Sequence, residues 1–365
     1  MSKVNFFPRK VLISTGELFR YIHGANMVFL ELAEYFLSKD CEVVIYANLA
    51  LPPMLDEALR LPGAEKLSII DDPDKIVDDD FDLIFMHDNT LPDNIVKGLS
   101  EGLRTRIVPL HLSPIVPIEM PLFAGVENSI ADVIACVSEE SAEEMIGRGL
   151  DRKKLWVMEN FVPISIHDTY KYKGNDTLQS LAIVTNHLPK ELEGVIKLLR
   201  KSGIQVDHFG AGGNKLVKIS AEILTQYDAV MSIGKTVQYA LSLGIPVYLY
   251  DHFGGPGWLN ATNFENQLAY NLSGRATGEQ KKARQIVKEL INEYKLARRY
   301  ALANQIEFQT RFSIETKMSN LLSKLRTRPS VKKISSTDEL AWNNFNQIYR
   351  GMYRGFEYYK DQSLK

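Results

Sequence analysis

The stretch from Tyr227 to Trp258 limits the possible folds of this chain more than any other. It reads YDAVMSIGKTVQYALSLGIPVYLYDHFGGPGW. Residues 229–233 are an apolar run of strand length. Gly234, Lys235 and Thr236 make a turn, and Val237, Ala240, Leu241 and Leu243 then recur at helical spacing. Gly244 stops the helix, Pro246 opens the next segment, and residues 247–250 read as a second strand. Strand, helix and strand in this order form one unit of a parallel sheet. Ligands of open α/β sheets sit at the carboxyl ends of the strands. Two loops would share that rim: Gly234–Thr236, and a glycine-rich one with Asp251, His252, Gly254 and Gly255.

The first of these loops suits an anion. Glycine lets a ligand approach the backbone, and the helix that follows offers free N–H groups and the positive end of its dipole. Lys235 adds a charge and Thr236 a hydroxyl. The spacing is not that of a Walker P-loop, because its first glycine is missing.

With 365 residues the chain has room for two ordinary domains or one very large one. A formal net charge of -2 gives no electrostatic case for nucleic acid as a partner. The 2 cysteines, Cys41 and Cys136, stand far apart in apolar runs and read as buried thiols, neither a disulfide nor a metal site. The first residues lack a signal-peptide core, and no window approaches the roughly 20 apolar residues of a membrane span. A cytoplasmic location is expected.

Strands alternate with helices along the whole chain, which implies doubly wound parallel sheets. Residues 10–15, 41–46, 81–86, 106–110 and 131–137 read as strands of a first domain, 1–163. Residues 16–24 read as a long loop. His87 and Asp88 stand at one strand end and His111 at another. Residues 164–178 lose the rhythm and read as a linker. A second α/β series, 179–326, adds strands at 180–184 and 205–209, a helix from Lys190, and a loop at Gly210. Asn186 follows the first of these strands. Thr277 with Gln280 fits a capping box for a long helix. Residues 327–365 read as a loop and a last helix that docks on the body, which is favoured over a peripheral membrane contact. The aromatic end of that helix leaves homo- or hetero-oligomer formation open as well. Asp78–Asp80 precedes a strand, at its amino end, and reads as a solvated turn. No metal cluster is expected.

Several passages in order resemble the bacterial GT-B glycosyltransferases of the glycogen-synthase-like, mostly retaining superfamily. They are Ala131–Ser138 followed by Leu150–Asn160; Asp228–Pro246; Phe308–Leu325 with its Arg311-Phe-Ser313; and DHFGGPGWLNATNFENQLAYNLSGR, the surface-glycan variant, at Asp251–Arg275. The likeness covers roughly Val11 to Leu325. It implies the GT-B architecture: two Rossmann-like domains with a cleft between them and a helical tail. It also implies a nucleotide-sugar donor of UDP or GDP type, used as substrate with no further cofactor, on the second domain, and a glycan or protein acceptor on the first, in polysaccharide biosynthesis. The donor diphosphate would lie near Gly234, Lys235, Thr236 and Lys190. The base and ribose would lie near Gly210, Asp251, His252, Gly254 and Gly255; Asn186, at its strand end, reads either as a loop cap or as a donor contact. Gly24 would be the loop glycine of the first domain, and His87, Asp88 or His111 the acceptor base.

Two positions depart from that pattern. Tyr239 stands where the family places a ribose-binding glutamate, and a phenol cannot hold two hydroxyls as a carboxylate does. Gly24 is followed by Ala25, so the usual glycine pair is absent. Two other functions therefore compete with transfer: a non-catalytic GT-B subunit binding a partner transferase or glycosylated peptide, and a UDP-sugar epimerase.

Overall fold

A computed structural model describes residues 6–76, 80–167, 172, 174–213, 217–325 and 329–363. Asp78 and Asp79 of the expected solvated turn, and residues 168–171 and 173 of the expected linker, lie outside them. The chain forms two compact units, Met1–Met158 with Met318–Lys365, and Glu159–Lys317. The return to unit 1 thus comes inside a helix, earlier than the position 326 read from sequence.

Unit 1 holds a seven-stranded parallel sheet in the order β3-β2-β1-β4-β5-β6-β7. Its strands are β1 Lys10–Phe19, β2 Glu42–Ala50, β3 Leu67–Ile70, β4 Leu83–His87, β5 Arg106–His111, β6 Ile134–Cys136 and β7 Leu155–Val157. The helices between them are α1 Gly24–Ser38, α2 Met54–Leu59, α3 Asp93–Glu101, α4 Ala124–Ile130 and α5 Glu139–Gly147. β4 and β5 are buried throughout, as strands covered on both faces must be. Beyond an irregularity at Thr15–Leu18, Leu18 and Phe19 pair with Leu49 and Ala50. Continued pairing with β2 therefore shortens the expected loop at 16–24 to residues 20–23.

Unit 2 holds a five-stranded sheet in the order β12-β11-β10-β8-β9. Its strands are β8 Ser180–Val184, β9 Gln205–Phe209, β10 Ala229–Ser232, β11 Val247–Asp251 and β12 Gly254–Trp258. The first four run parallel and β12 runs antiparallel to β11. The helices are α6 Ile164–His167, α7 Lys190–Lys201, α8 Ala221–Leu224, α9 Lys235–Ser242, α10 Phe264–Leu268, α11 Ala283–Ala303 and α12 Gln305–Phe312. α13, Ile314–Lys324, crosses to unit 1, and α14, Ser336–Ser363, follows there. One face of this sheet packs on Leu241, Phe264, Phe308 and Phe312, the other on Leu192, Leu199, Leu290 and Tyr294. α11 starts at Ala283, so Thr277 does not cap it. A reciprocal cap opens α14: Ser335 N donates to Asp338 Oδ2 and Asp338 N to Ser335 Oγ. Among the described residues no helix is long and apolar enough to cross a membrane.

In each unit the strand order reverses at one place. In unit 1 that place lies between β1 and β4, and in unit 2 between β8 and β10. Loops on the two sides of such a reversal turn in opposite directions and leave a crevice at the carboxyl ends of the strands, where ligands bind.

Candidate functional site

In unit 2 the crevice is flanked by Thr185, Asn186 and His187 after β8 and by Gly234 after β10. Gly234 has φ 60 and ψ -136, a conformation that favours glycine, and its Cα faces open space. It stands immediately before α9, whose first turn presents N–H groups. Thr236 is half-buried there, and Lys190 is exposed at the first residue of α7.

The other expected donor residues are engaged within the fold. Lys235 is buried; its amine donates to the Phe161 carbonyl at 2.9 Å and lies 4.5 Å from the Phe161 ring centre and 5.5 Å from that of Tyr239. Tyr239 is itself buried. Asp251 accepts hydrogen bonds from the Thr185 hydroxyl at 2.8 Å and from His252 N at 2.7 Å, which ties the ends of β8 and β11 together. Asn186 Oδ1 accepts from Ala211 N at 2.9 Å, and a side chain on Gly210 would collide with the Thr185 carbonyl. Gly254 and Gly255 are buried in β12, pressed against the backbone at Glu279 and Leu249. Their glycines serve chain packing, so the glycine-rich segment is a hairpin arm and not an open loop. His252 is exposed, with its ring centre 5.3 Å from that of His187 and 3.9 Å from that of Phe253. Arg275 lies over the Phe253 ring at 5.2 Å.

Because the Lys235 amine supports the Phe161 carbonyl, Lys235→Met should destabilise unit 2 by about 1–2 kcal/mol in urea unfolding. A lysine serving only as a charge at the rim would leave stability unchanged on the same substitution.

Unit 1 gathers a buried charged centre at its own crevice. His87 ends β4, and Asp88 and Asn89 follow it with positive φ of 54 and 52. Such a pair of left-handed non-glycine residues stores strain, a feature that clusters at functional sites. His87 Nδ1 lies 3.0 Å from Asp88 Oδ2 and 3.3 Å from the Thr15 hydroxyl, while Nε2 lies 3.4 Å from Glu119 Oε2. His111 ends β5; its Nδ1 faces the Glu119 carbonyl at 3.1 Å and its Nε2 faces Glu127 Oε1 at 2.7 Å. The two histidines and three carboxylates are all buried.

Both nitrogens of His111 face oxygen atoms that accept when Glu127 is ionised, an arrangement that favours the imidazolium. His87, between two carboxylates, reads the same way. Burial alone would depress both imidazoles. Asp88 and Glu119 overcome this and raise His87 well above its ordinary value, and Glu127 raises His111. An imidazole whose protonated form is favoured is a weaker candidate for the acceptor base, and Asp88 stands beside it at the same strand end. Gly24, at the start of α1, is exposed with open space around it, so no close approach within the fold requires a glycine there.

Three possible ligand atoms do come together, which the spacing of the histidines did not suggest: one each from His87, Asp88 and Glu119 lies within 4.8 Å of the others. The two carboxylates take opposite nitrogens of the ring, however, which suits ion pairing better than a shared ion. Sequence reasoning missed Glu119 and Glu127. They come from the turn and helix after β5, and nothing in the spacing of two acids there points back to a strand-end histidine.

A raised folded-state pKa has a definite consequence for stability. The contribution of each imidazolium is complete below the unfolded value, near 6.5, and is lost as pH rises through the folded value. The stability difference between the protein and His111→Gln should therefore be largest at about pH 6 and shrink steadily above neutrality, as read by urea unfolding across pH. A difference that grows with pH would contradict the imidazolium assignment.

No family model matches the sequence, and no curated protein matches it. Solved structures do. The Anabaena protein Alr3699/HepE, crystallised with UDP-glucose, superimposes with a TM-score of 0.56 at 13% identity over 87% of this chain and 98% of that one. The same protein with UDP and glucose gives 0.55 at 14% identity, covering 87% and 99%. With two α/β units of this topology and a helical C-terminal region, the chain has the GT-B fold. At this identity the likeness concerns the fold alone.

Proposed function

We propose that the chain is a glycosyltransferase moving a sugar from a nucleoside-diphosphate sugar, of UDP or GDP type, to a hydroxyl of a glycan or protein acceptor in the cytoplasm. The observation that carries this reading is the site at the strand reversal of unit 2, where Gly234 opens the backbone and α9 begins. A diphosphate is the ligand whose charge fits a helix start. Support comes from the GT-B fold and from the UDP-glucose held by the Anabaena neighbour.

In the proposed step the bond from the anomeric carbon to the diphosphate oxygen breaks, and the diphosphate leaves with the electron pair. A bond forms from that carbon to the acceptor oxygen, and Asp88 takes the acceptor proton. The first turn of α9, with Thr236 and Lys190, stabilises the leaving group. Asn186, His252 and Arg275 border the same rim and would contact the nucleoside.

A second reading has an observation of its own. Lys235 and Tyr239 are turned into the protein, where a transferase needs a cation and a ribose-binding acid. This favours a non-catalytic GT-B subunit that binds a partner transferase or a glycosylated peptide. Incubation with UDP-glucose, UDP-N-acetylglucosamine and GDP-mannose decides between them. Release of nucleoside diphosphate supports transfer, and conversion to an epimeric nucleotide sugar supports an epimerase. Binding without turnover supports the subunit.

A further inference from the structure

The crevice of unit 1 is already filled, by the chain's own tail. Tyr349 of α14 lies on Gly16, between β1 and the residues after β4. A methyl group at Gly16 would strike Tyr349 Cε1 first, then the Thr90 hydroxyl and Asp88 Cβ. Tyr349 is buried, and its ring centre lies 5.4 Å from that of Phe345 and 4.7 Å from that of Tyr353, so α14 lays an aromatic strip along the strand ends.

The grip of α14 changes character along its length. At its start Trp342 is buried, stacked on Phe123 at 5.4 Å, and its Nε1 donates to the Asn89 carbonyl at 2.6 Å. Farther on, polar contacts flank the buried ring of Tyr349. Asn346 Nδ2 donates to the Leu91 carbonyl at 2.7 Å, and Arg350 pairs with the half-exposed Asp93 at 3.0 Å. Arg354 reaches the carbonyls of Asn48 and Asp71. The contacts of Arg350 and Arg354 are partly exposed, exchange with water and contribute little net stability each. Trp342 and the buried Asn346 are therefore the anchor, and the segment from Tyr349 onward, held in place by Arg350 and Arg354, is the part that can lift.

We propose that α14 is an autoinhibitory cover whose Tyr349 occupies the acceptor-hydroxyl position of unit 1, beside Asp88, and leaves it when an acceptor binds. The inference rests on the transferase reading and adds the regulation of its acceptor side. The ligand class follows from the crevice itself: a glycine floor, a carboxylate and the Thr90 hydroxyl suit a sugar hydroxyl, and an aromatic ring beside them suits a sugar face. Acceptor binding and closure by α14 are then mutually exclusive. In the resting chain even water has poor access to Asp88.

The test uses the full chain and UDP-glucose with water as acceptor. Tyr349→Ala should raise hydrolysis roughly tenfold, because the competent open form is no longer a minor population. Its affinity for UDP should stay that of the unaltered protein. Arg350→Gln, which loosens the cover without touching the crevice, should act in the same direction and serves if Tyr349→Ala does not fold. UDP binding with hydrolysis unchanged in both variants overturns the cover and leaves the transferase reading standing. UDP binding to none of the three proteins overturns the transferase reading, and the proposed regulation with it.

Discussion

Asp228→Ala should cost unit 2 about 3–5 kcal/mol, one of the largest losses available to a single substitution there. Asp228 is buried just before β10 and collects five donors. Its Oδ1 accepts from Asn175 N at 2.8 Å and Asn175 Nδ2 at 2.9 Å. Its Oδ2 accepts from Gln179 N at 2.8 Å, Ser180 N at 2.9 Å and Ser180 Oγ at 3.2 Å. Alanine would deprive three main-chain N–H groups, those of Asn175, Gln179 and Ser180, of their acceptor at and before the start of β8. Asn keeps an accepting oxygen and should recover about half of the loss. Urea unfolding of the full chain reads both values. A loss under about 1 kcal/mol for alanine would mean that the neighbouring backbone finds other partners.

The second large effect is expected at Trp342. Trp342→Ala removes a fully buried indole, its stack on Phe123 and its hydrogen bond to Asn89. The cavity and the lost contacts together should lower the stability of unit 1 by about 3–5 kcal/mol. Trp342→Phe keeps most of the apolar volume and the ring contact, so about 1–2 kcal/mol should remain, chiefly the unpaired Asn89 carbonyl. That carbonyl belongs to the strained pair Asp88–Asn89, so the anchor of the tail also holds the backbone that presents Asp88. If both variants lost equally little, α14 would not be part of the core of unit 1.

The alternation of strands and helices was legible because buried parallel strands are short apolar runs, and 229–232 and 247–251 fall where the pattern places them. Gly234 before α9 was legible for the same reason: a turn between such a strand and a helix has few solutions. What sequence could not supply is the direction of side chains. Lys235 looks like a phosphate ligand until the Phe161 carbonyl appears beside its amine, contributed from 74 residues away. The run Gly254-Gly-Pro-Gly257 looks like a ligand loop, yet Gly254 and Gly255 answer to the backbones of Glu279 and Leu249, and Gly257 to the side chains of Glu289 and Lys281. His87 and His111 were found as strand-end residues, but their protonation depends on Glu119 and Glu127, which only the turn after β5 brings to them. Tyr349 gave no signal, since nothing local in α14 points to Gly16.

The most direct measurement follows amide hydrogen exchange of the full chain with and without UDP, alongside a calorimetric titration. The account predicts one bound nucleotide per chain, with new protection concentrated at residues 233–237 and 185–187, the two sides of the strand reversal in unit 2. No heat of binding at millimolar UDP or GDP, or protection that leaves Gly234 and the start of α9 unchanged, would contradict it.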